Sequence, residues 1–385
     1  MRNGILIKFG NKYSGGRYHG WMIALALAKF SKVDIFCDKK PIFFDDFKND
    51  INIDKINFKK INSIKNCNTK YQWFFCIPSI STIPYYNEFI SKCENDKTKI
   101  ALINFETPNW YNSYFSKNVH RTDDMITFLA ENSSVCLSAT SIGTEYAKNY
   151  FKKIDHLNFE NFYPSINTTT KIQTLKKKQS ITLFARFGSD SFSKHKLSIN
   201  IEDLFIKKFK DYTLNIIYSG SVNKEKIIKE GRKFGINVVF HSQITDKQKF
   251  DLIAQSEFMI FLSLFEGFGY PPIESLACNT PVYCNELPVF KEVHEDRIFY
   301  IDNEIDKYDF FQHRSSYNSY QELYLKKFSI EEFSKNLKYM FKKYEHYEKK
   351  YPNNSFYTHL YSFIFNSNIK SKVLLTKSFL EKQIS

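Results

Sequence analysis

Phe258–Val282 reads FMIFLSLFEGFGYPPIESLACNTPV. Its opening run, Phe258 to Phe265, is apolar, of strand length and rich in large side chains, the pattern of a strand buried on both faces of a parallel sheet. Glu266 ends that run. Gly267 and Gly269 permit a tight backbone path, and Pro271-Pro272 carries the fixed φ suited to the start of a helix, which puts Glu274 inside the first turn. In an open α/β sheet, ligands bind beyond the carboxyl ends of the strands, where a loop and a helix N-terminus present unpaired N–H groups. Two carboxylates would thus flank a set of backbone donors. Carboxylates suit hydroxyl-rich groups and the donors suit an anion, and a sugar joined by a diphosphate to a ribose offers both. A plain strand, turn and helix capped by Glu274 would explain that acid; it leaves Glu266, the glycines and the double proline without a reason.

The same alternation continues outward. In the second half, strands are expected at Ile181–Phe184, Leu214–Tyr218, Val238–Phe240 and Phe258–Leu264, with helices at Ile199–Phe209, Lys224–Phe234 and Asp246–Ala254 between them. These are βαβ units and imply a parallel sheet. The first half opens with a strand at Gly4–Phe9, a polar loop holding Ser14-Gly15-Gly16-Arg17, a helix over Tyr18–Phe30 and a strand at Val33–Cys37. Its glycines fit neither a Walker loop nor G-x-G-x-x-G. Trp73–Ile77, Ile100–Phe105 and Val135–Leu137 read as further strands, with helices at Pro84–Asn95 and Ile142–Phe151. The stretch 38–70 is irregular and stays unassigned. The polar run Asn167–Gln179 has the composition of a linker. The expected division is 1–166, a linker over 167–179, a second domain over 180–350, and a C-terminal helix and tail over 351–385.

Composition narrows the function. A chain of 385 residues suits two domains, and 43% hydrophobic with 25% charged residues is ordinary for a globular protein. No apolar run approaches the ~18 residues of a bilayer span, and the N-terminus lacks a signal-peptide pattern, so a cytoplasmic location is expected. Seven dispersed cysteines without a C-x-x-C pair read as reduced thiols. The nine histidines show no metal-ligand spacing and no Asp-x-Asp triplet occurs, so no metal is expected at a diphosphate and cationic side chains must serve there. The net charge of +14 fits a general bias toward Lys or an anionic membrane face where a lipid-linked acceptor waits. Nucleic acid is not expected as a partner, since no helix-turn-helix, zinc-finger or RRM signature accompanies the charge.

Glu266-Gly267-Phe268-Gly269-Tyr270-Pro271-Pro272-Ile273-Glu274, with Thr280-Pro281-Val282 after it, resembles the E-x7-E motif, in its mannosyltransferase-like form, of the retaining nucleotide-sugar glycosyltransferases of the GT-B fold, family four. The likeness extends to the opening strand and glycine loop, to Phe162-Tyr163-Pro164 and to Leu287–Val293. It implies two Rossmann-like parallel-sheet domains facing each other across a cleft, with C-terminal helices crossing back to the first. It implies a nucleotide diphosphate sugar as donor and no cofactor or metal. Glu274 would hold the ribose. Glu266 and the N–H groups of Gly267, Phe268 and Gly269 would hold the sugar. Arg186, at the end of its strand, with Lys194 or Lys196 would grip the diphosphate; both lysines lie farther from Arg186 than the family's spacing. Gly15 and Gly16 would face the donor, and Arg17, His19 and Glu106 the acceptor side, Glu106 standing nearest to where much of the family has a histidine. The expected reaction moves a hexose, from GDP-mannose ahead of UDP-hexoses or dTDP-rhamnose, to a saccharide or lipid-linked saccharide acceptor in surface polysaccharide synthesis. The protein would then work in the cytoplasm, at the inner face of an anionic membrane. A sugar-nucleotide epimerase of the same fold and a non-enzymatic basic protein binding nucleic acid or membrane remain as rivals.

Overall fold

The computed structural model describes residues 1–11, 13–114, 123–168, 172, 175–188, 197–302, 304–311 and 317–348. Lys194, Lys196 and the expected tail over 351–385 lie outside the described residues. Among the described residues the chain builds two parallel sheets. The first contains β1 (Arg2–Leu6), β2 (Lys32–Cys37), β3 (Ile56–Lys60), β4 (Trp73–Cys76), β5 (Lys99–Asn104), β6 (Val135–Ser138) and β7 (Asn158–Asn161), in the order β3-β2-β1-β4-β5-β6-β7. The second contains β8 (Lys178–Phe187), β9 (Thr213–Gly220), β10 (Asn237–His241), β11 (Ser256–Phe261), β12 (Val282–Asn285) and β13 (Phe299–Ile301), in the order β10-β9-β8-β11-β12-β13. The expected α/β class with two Rossmann-like sheets is what the chain adopts.

Both sheets reverse direction beside their first strand. In the first, β1, β2 and β3 run outward on one side and β4 returns to the other side of β1. In the second, β8, β9 and β10 do the same and β11 returns to pair with β8, with Phe258 opposite Ile181 and Ile260 opposite Leu183. Such a reversal opens a crevice at the carboxyl edge, because the two connections leave the strand pair in opposite directions.

Burial explains why these segments are strands. In β11 Phe258, Met259, Ile260 and Phe261 are all buried, so neither face meets water. Phe258 stacks on Phe310 (5.8 Å) and meets Tyr283 edge-on (5.4 Å) in the core of the second unit. Each such ring contributes about 1.5–3 kcal/mol by leaving water. The outermost strands β3 and β7, absent from the sequence reading, lack that signal: INFKK and NFEN are mostly half-exposed edge strands with one covered neighbour. The expected helix over 199–209 is instead two short 3-10 turns, Ile201–Leu204 and Lys207–Phe209. β8 begins at Lys178, inside the stretch that reads as linker, and Lys177 just before it donates to Thr280 Oγ1 (2.6 Å).

The chain divides into two compact units, Met1–Phe44 with Asp50–Pro164 and Phe333–Ser385, and Asp45–Asn49 with Ser165–Glu332. The second unit therefore ends at Glu332 rather than at 350. The helix Ile330–Lys343 hands the chain back to the first unit because its Phe341 stacks on Trp73 (5.4 Å) and touches Phe30 (5.5 Å), while Glu160 accepts from Lys343 and Tyr344.

Candidate functional site

β8 and β11 are hydrogen-bonded neighbours running in parallel, so the loops that follow them leave the same edge. Arg186 is the next-to-last residue of β8 and is half-buried. Glu266 lies five residues beyond the end of β11 and is 8% exposed. The two thus stand at the carboxyl edge of the strand pair where the order of the sheet reverses. Past the end of β8, Ser198 donates its N–H to Leu262 O (2.9 Å), and its hydroxyl accepts from Asn285 Nδ2 (3.4 Å). This ties the chain that follows Lys194 and Lys196 to the edge from which Glu266 emerges.

Between Glu266 and the helix Tyr270–Ala277 the backbone turns sharply. Gly269 occupies the N-cap with φ 83°, a left-handed conformation. A Cβ there would come within 2.5 Å of Phe290 Cε1, so both the torsion and the close approach require glycine. Phe268 is buried beside Tyr270 (5.3 Å) and Phe328 (6.0 Å), which anchors the loop through its side chain. Gly267 is half-exposed between these two fixed points.

Glu274 departs from the sequence reading. It sits one turn into the helix rather than in the first turn, and it is 1% exposed. Its Oε1 accepts from the ammonium of Lys249 (2.6 Å), which also pairs with Asp246 Oδ1 (2.8 Å). Asp246 Oδ2 accepts from Asn167 (2.9 Å), and the Asp246 N–H donates to Asp46 Oδ2 (3.1 Å). All of these residues belong to the second unit. Burial pushes the Glu274 carboxyl above its ordinary range, with the Lys249 charge opposing the shift. Burial likewise raises the Asp46 carboxyl, the Asp246 charge adding to the shift and its N–H opposing it.

The first-unit candidates gather at the corresponding edge of their own sheet. Ser14 caps the helix Gly15–Ala28, its hydroxyl accepting from Arg17 N (3.2 Å), so Gly15 and Gly16 form the first turn beyond β1. Phe105, the residue before Glu106, lies edge-on to His19 (5.7 Å), and a Cβ on Gly16 would touch the Phe105 ring at 3.0 Å. The Arg17 guanidinium folds over Gly10. His19 is buried against Phe105 and Phe333, and burial lowers its pKa to about 3. The neutral ring is thus enclosed on the buried face of the helix Gly15–Ala28 rather than exposed at its surface. Glu106 remains half-buried at the carboxyl end of β5.

Residues 170–310 match the family model described as "Glycosyl transferases group 1". That match lies within the second unit. The chain is 30% identical over 170 residues to the O-antigen chain mannosyltransferase RfbU of Salmonella typhimurium, covering 42% of this chain and 44% of that protein. It is 32% identical over 98 residues to the serotype-specific mannosyltransferase WbdA of Escherichia coli, covering 25% of this chain and 12% of that one. The chain therefore spans less than half the length of either curated relative. Among solved structures, Anabaena HepE in complex with UDP-glucose superposes with a TM-score of 0.64 at 10% identity, over 89% of this chain and all of that one. Sucrose-phosphate synthase from Thermosynechococcus elongatus gives 0.62 at 12%, over 90% and 99%. The fold is GT-B.

Within the second unit the structure links Lys249, Asp246 and Asn167 to Glu274, which sequence reading did not foresee. A signal for two of them was present. The helix Asp246–Gln255 buries Asp246, Lys249, Phe250, Ile253 and Ala254, the i, i+3, i+4, i+7, i+8 stripe of a core-facing helix, with charges in two of its inward positions. Asn167 carried no pattern, since it belongs to the polar run before β8.

Proposed function

We propose that the protein is a retaining, metal-independent glycosyltransferase that moves a hexose from a nucleotide diphosphate sugar to a saccharide or lipid-linked saccharide hydroxyl. The observation that carries this reading is the placement of Arg186 at the carboxyl end of β8 and of Glu266 on the loop leaving its parallel neighbour β11, where the sheet order reverses, with a glycine bend and a helix start between Glu266 and Glu274. A sugar diphosphate needs a cation for the leaving phosphates, an acceptor for sugar hydroxyls and an acceptor for the ribose, and this edge supplies all three. The two mannosyltransferase relatives support GDP-mannose as donor and surface polysaccharide synthesis as setting.

In the proposed reaction Glu274 binds ribose hydroxyls. Glu266 and the N–H groups of Gly267, Phe268 and Gly269 hold the sugar with its anomeric carbon toward the acceptor. The acceptor oxygen bonds to that carbon on the face from which the diphosphate leaves, the carbon–phosphate oxygen bond breaks, and the acceptor proton passes to an oxygen of the departing phosphate. Arg186, with Lys194 or Lys196, stabilises the charge that develops on the diphosphate; preorganised groups of this kind are often the largest single term in catalysis. A helix N-terminus alone contributes about 0.3–1 kcal/mol toward an anion, against about 1.5–3 for a charge-assisted hydrogen bond, so the cationic side chains carry the larger share. In this scheme Gly15 and Gly16 face the donor, while Arg17 and Glu106 serve the acceptor side. No helix among the described residues is long and apolar enough to cross a membrane, and a lipid-linked acceptor would be met at an anionic membrane surface.

The test is a thermal-shift panel of GDP, UDP and dTDP and their sugars. A ligand at a hundredfold its dissociation constant stabilises by about 2.7 kcal/mol. One base should be preferred, with the preferred donor consumed only when an acceptor is supplied and an α-linked donor giving an α-linked product. An equal response to all three nucleotides, or isomerisation of UDP-N-acetylglucosamine without acceptor, defeats the proposal.

A further inference from the structure

Glu274 is an unusual hydroxyl binder, because a carboxylate that is fully enclosed on a helix resists ionisation and an un-ionised acid is a poorer acceptor. The chain answers this with a second helix. The helix Asp246–Gln255 is fixed at its start by a capping box, in which Thr245 Oγ1 accepts from Gln248 N (3.2 Å) and Gln248 Oε1 accepts from Thr245 N (2.9 Å). Its first turn turns inward, placing the Lys249 ammonium 2.8 Å from Asp246 Oδ1 and 2.6 Å from Glu274 Oε1, with all three side chains buried. Asp246 is itself held by Asn167 and by Asp46. Lys249 therefore has a fixed position and takes one oxygen of Glu274.

Resting on the donor-binding reading above, we propose that Lys249 is a positioning residue: clamped by Asp246, it holds Oε1 of Glu274 so that the other carboxylate oxygen meets the ribose hydroxyls of the donor nucleotide. Lys249 touches no part of the donor in this arrangement. It nevertheless sets how strongly the site distinguishes a ribonucleotide from its 2′-deoxy analogue, while the diphosphate is gripped elsewhere, by Arg186.

The groups that face Glu274 are Lys249 and Asp246 on the neighbouring helix and Cys278 on its own, and Lys177 faces Cys278. Burial drives Glu274 upward and Lys249 is the cation opposing it, so removing Lys249 moves the carboxyl further up. Ionisation, and with it the ribose contact, then returns only at higher pH.

The experiment measures dissociation constants of GDP and 2′-deoxy-GDP by calorimetry, or of UDP and 2′-deoxy-UDP if uridine is the preferred base, from pH 6.5 to 9. Taking the ratio of the two cancels the titration of phosphates and of every group common to both complexes. Wild type should prefer the ribonucleotide by about tenfold or more, the discrimination expected of one hydrogen bond to a charged group. Lys249→Met should bring the ratio below about twofold at pH 7 and let it climb toward wild type by pH 9, with 2′-deoxy-GDP affinity unchanged. Lys249→Arg should restore the ratio at pH 7, and Lys249→Gln replaces the methionine variant if that protein does not fold. Glu274→Gln should abolish the preference at every pH. If Glu274→Gln abolishes the preference and the lysine variants keep it, the role given to Lys249 is overturned while the ribose reading stands. If Glu274→Gln keeps the preference, the ribose reading falls and the role of Lys249 falls with it.

Discussion

Gly269→Ala tests the bend on which the site depends. Two costs can be worked out separately. The residue stands at φ 83° and ψ 79°, where an L side chain crowds the following carbonyl at about 1–2 kcal/mol. The new methyl would also lie 2.5 Å from Cε1 and 3.2 Å from Cζ of Phe290, a buried ring with no exposed end to swing aside, and overpacking of this kind costs about 1–3 kcal/mol. Together they predict about 2–5 kcal/mol lost from the second unit. The assay can be made specific, because all three tryptophans, Trp21, Trp73 and Trp110, belong to the first unit. Urea unfolding followed by far-UV circular dichroism should show the loss, and tryptophan fluorescence reports whether the first unit shares it. Adding Phe290→Leu removes the clash and leaves the torsion, so the double mutant should show a favourable coupling of about 1–3 kcal/mol. A destabilisation below about 0.5 kcal/mol, or no coupling, refutes the packing argument.

Other outcomes follow from the same geometry. Arg186→Ala should weaken binding of the preferred nucleoside diphosphate by about 10- to 150-fold, the equivalent of one charge-assisted hydrogen bond, with an unchanged circular dichroism spectrum; a loss under threefold in calorimetry would remove Arg186 from the phosphate site. His19 and His294 are buried and their pKa values fall to about 3, so the folded state binds fewer protons than the unfolded state below the ordinary histidine value. Their contribution is complete above about pH 6.5 and is lost as pH drops toward 3, and a stability profile that stays flat over that window in wild type would contradict it. Glu274 has the opposite sign: an acid with a raised folded pKa makes stability decline as pH rises from its unfolded value through its folded one, while ribonucleotide affinity should increase across the same window. Phe341→Ala should cost the first unit about 3–5 kcal/mol, read by tryptophan fluorescence, since Phe341 stacks on Trp73 and is buried there.

The fold was legible wherever burial is two-sided. β1, β2, β4, β5, β8, β9 and β11 carry runs such as ILI, WFF and FMIF, and such strands announce themselves by composition alone. The two edge strands of the first sheet, β3 and β7, did not, because β7 gains its pairing from β6 and not from its own apolar content. The missing helix over 199–209 has a related cause. Ile201, Leu204, Phe205 and Phe209 recur at helical spacing and are buried, yet between the two 3-10 turns Phe205 adopts φ −85° and ψ 69° and Ile206 is extended at φ −108° and ψ 153°, so the segment reaches the core as short turns. Periodicity reports which side chains face inward; it does not report which backbone path brings them there.

The candidate site could be read at residues whose chemistry conflicts with their surroundings along the chain, as Glu266 does after an apolar run and Gly269 does before two prolines. Lys249 conflicts in a different dimension. Four of the five residues in its stretch KQKFD are polar, so nothing along the chain looks out of place, and only the helical projection shows a charge on the stripe that Phe250 and Ile253 bury. An isolated buried lysine would cost several kcal/mol, so an ammonium in such a position has to find an acid. Here it finds two, one on its own helix three residues earlier and one on the helix that follows the glycine bend. The 25 residues between Lys249 and Glu274 hid a contact that helical projection and the cost of buried charge together favour: an inward lysine on the helix before β11 seeks inward acids, and beside Asp246 on its own helix the neighbouring helix offers Glu274.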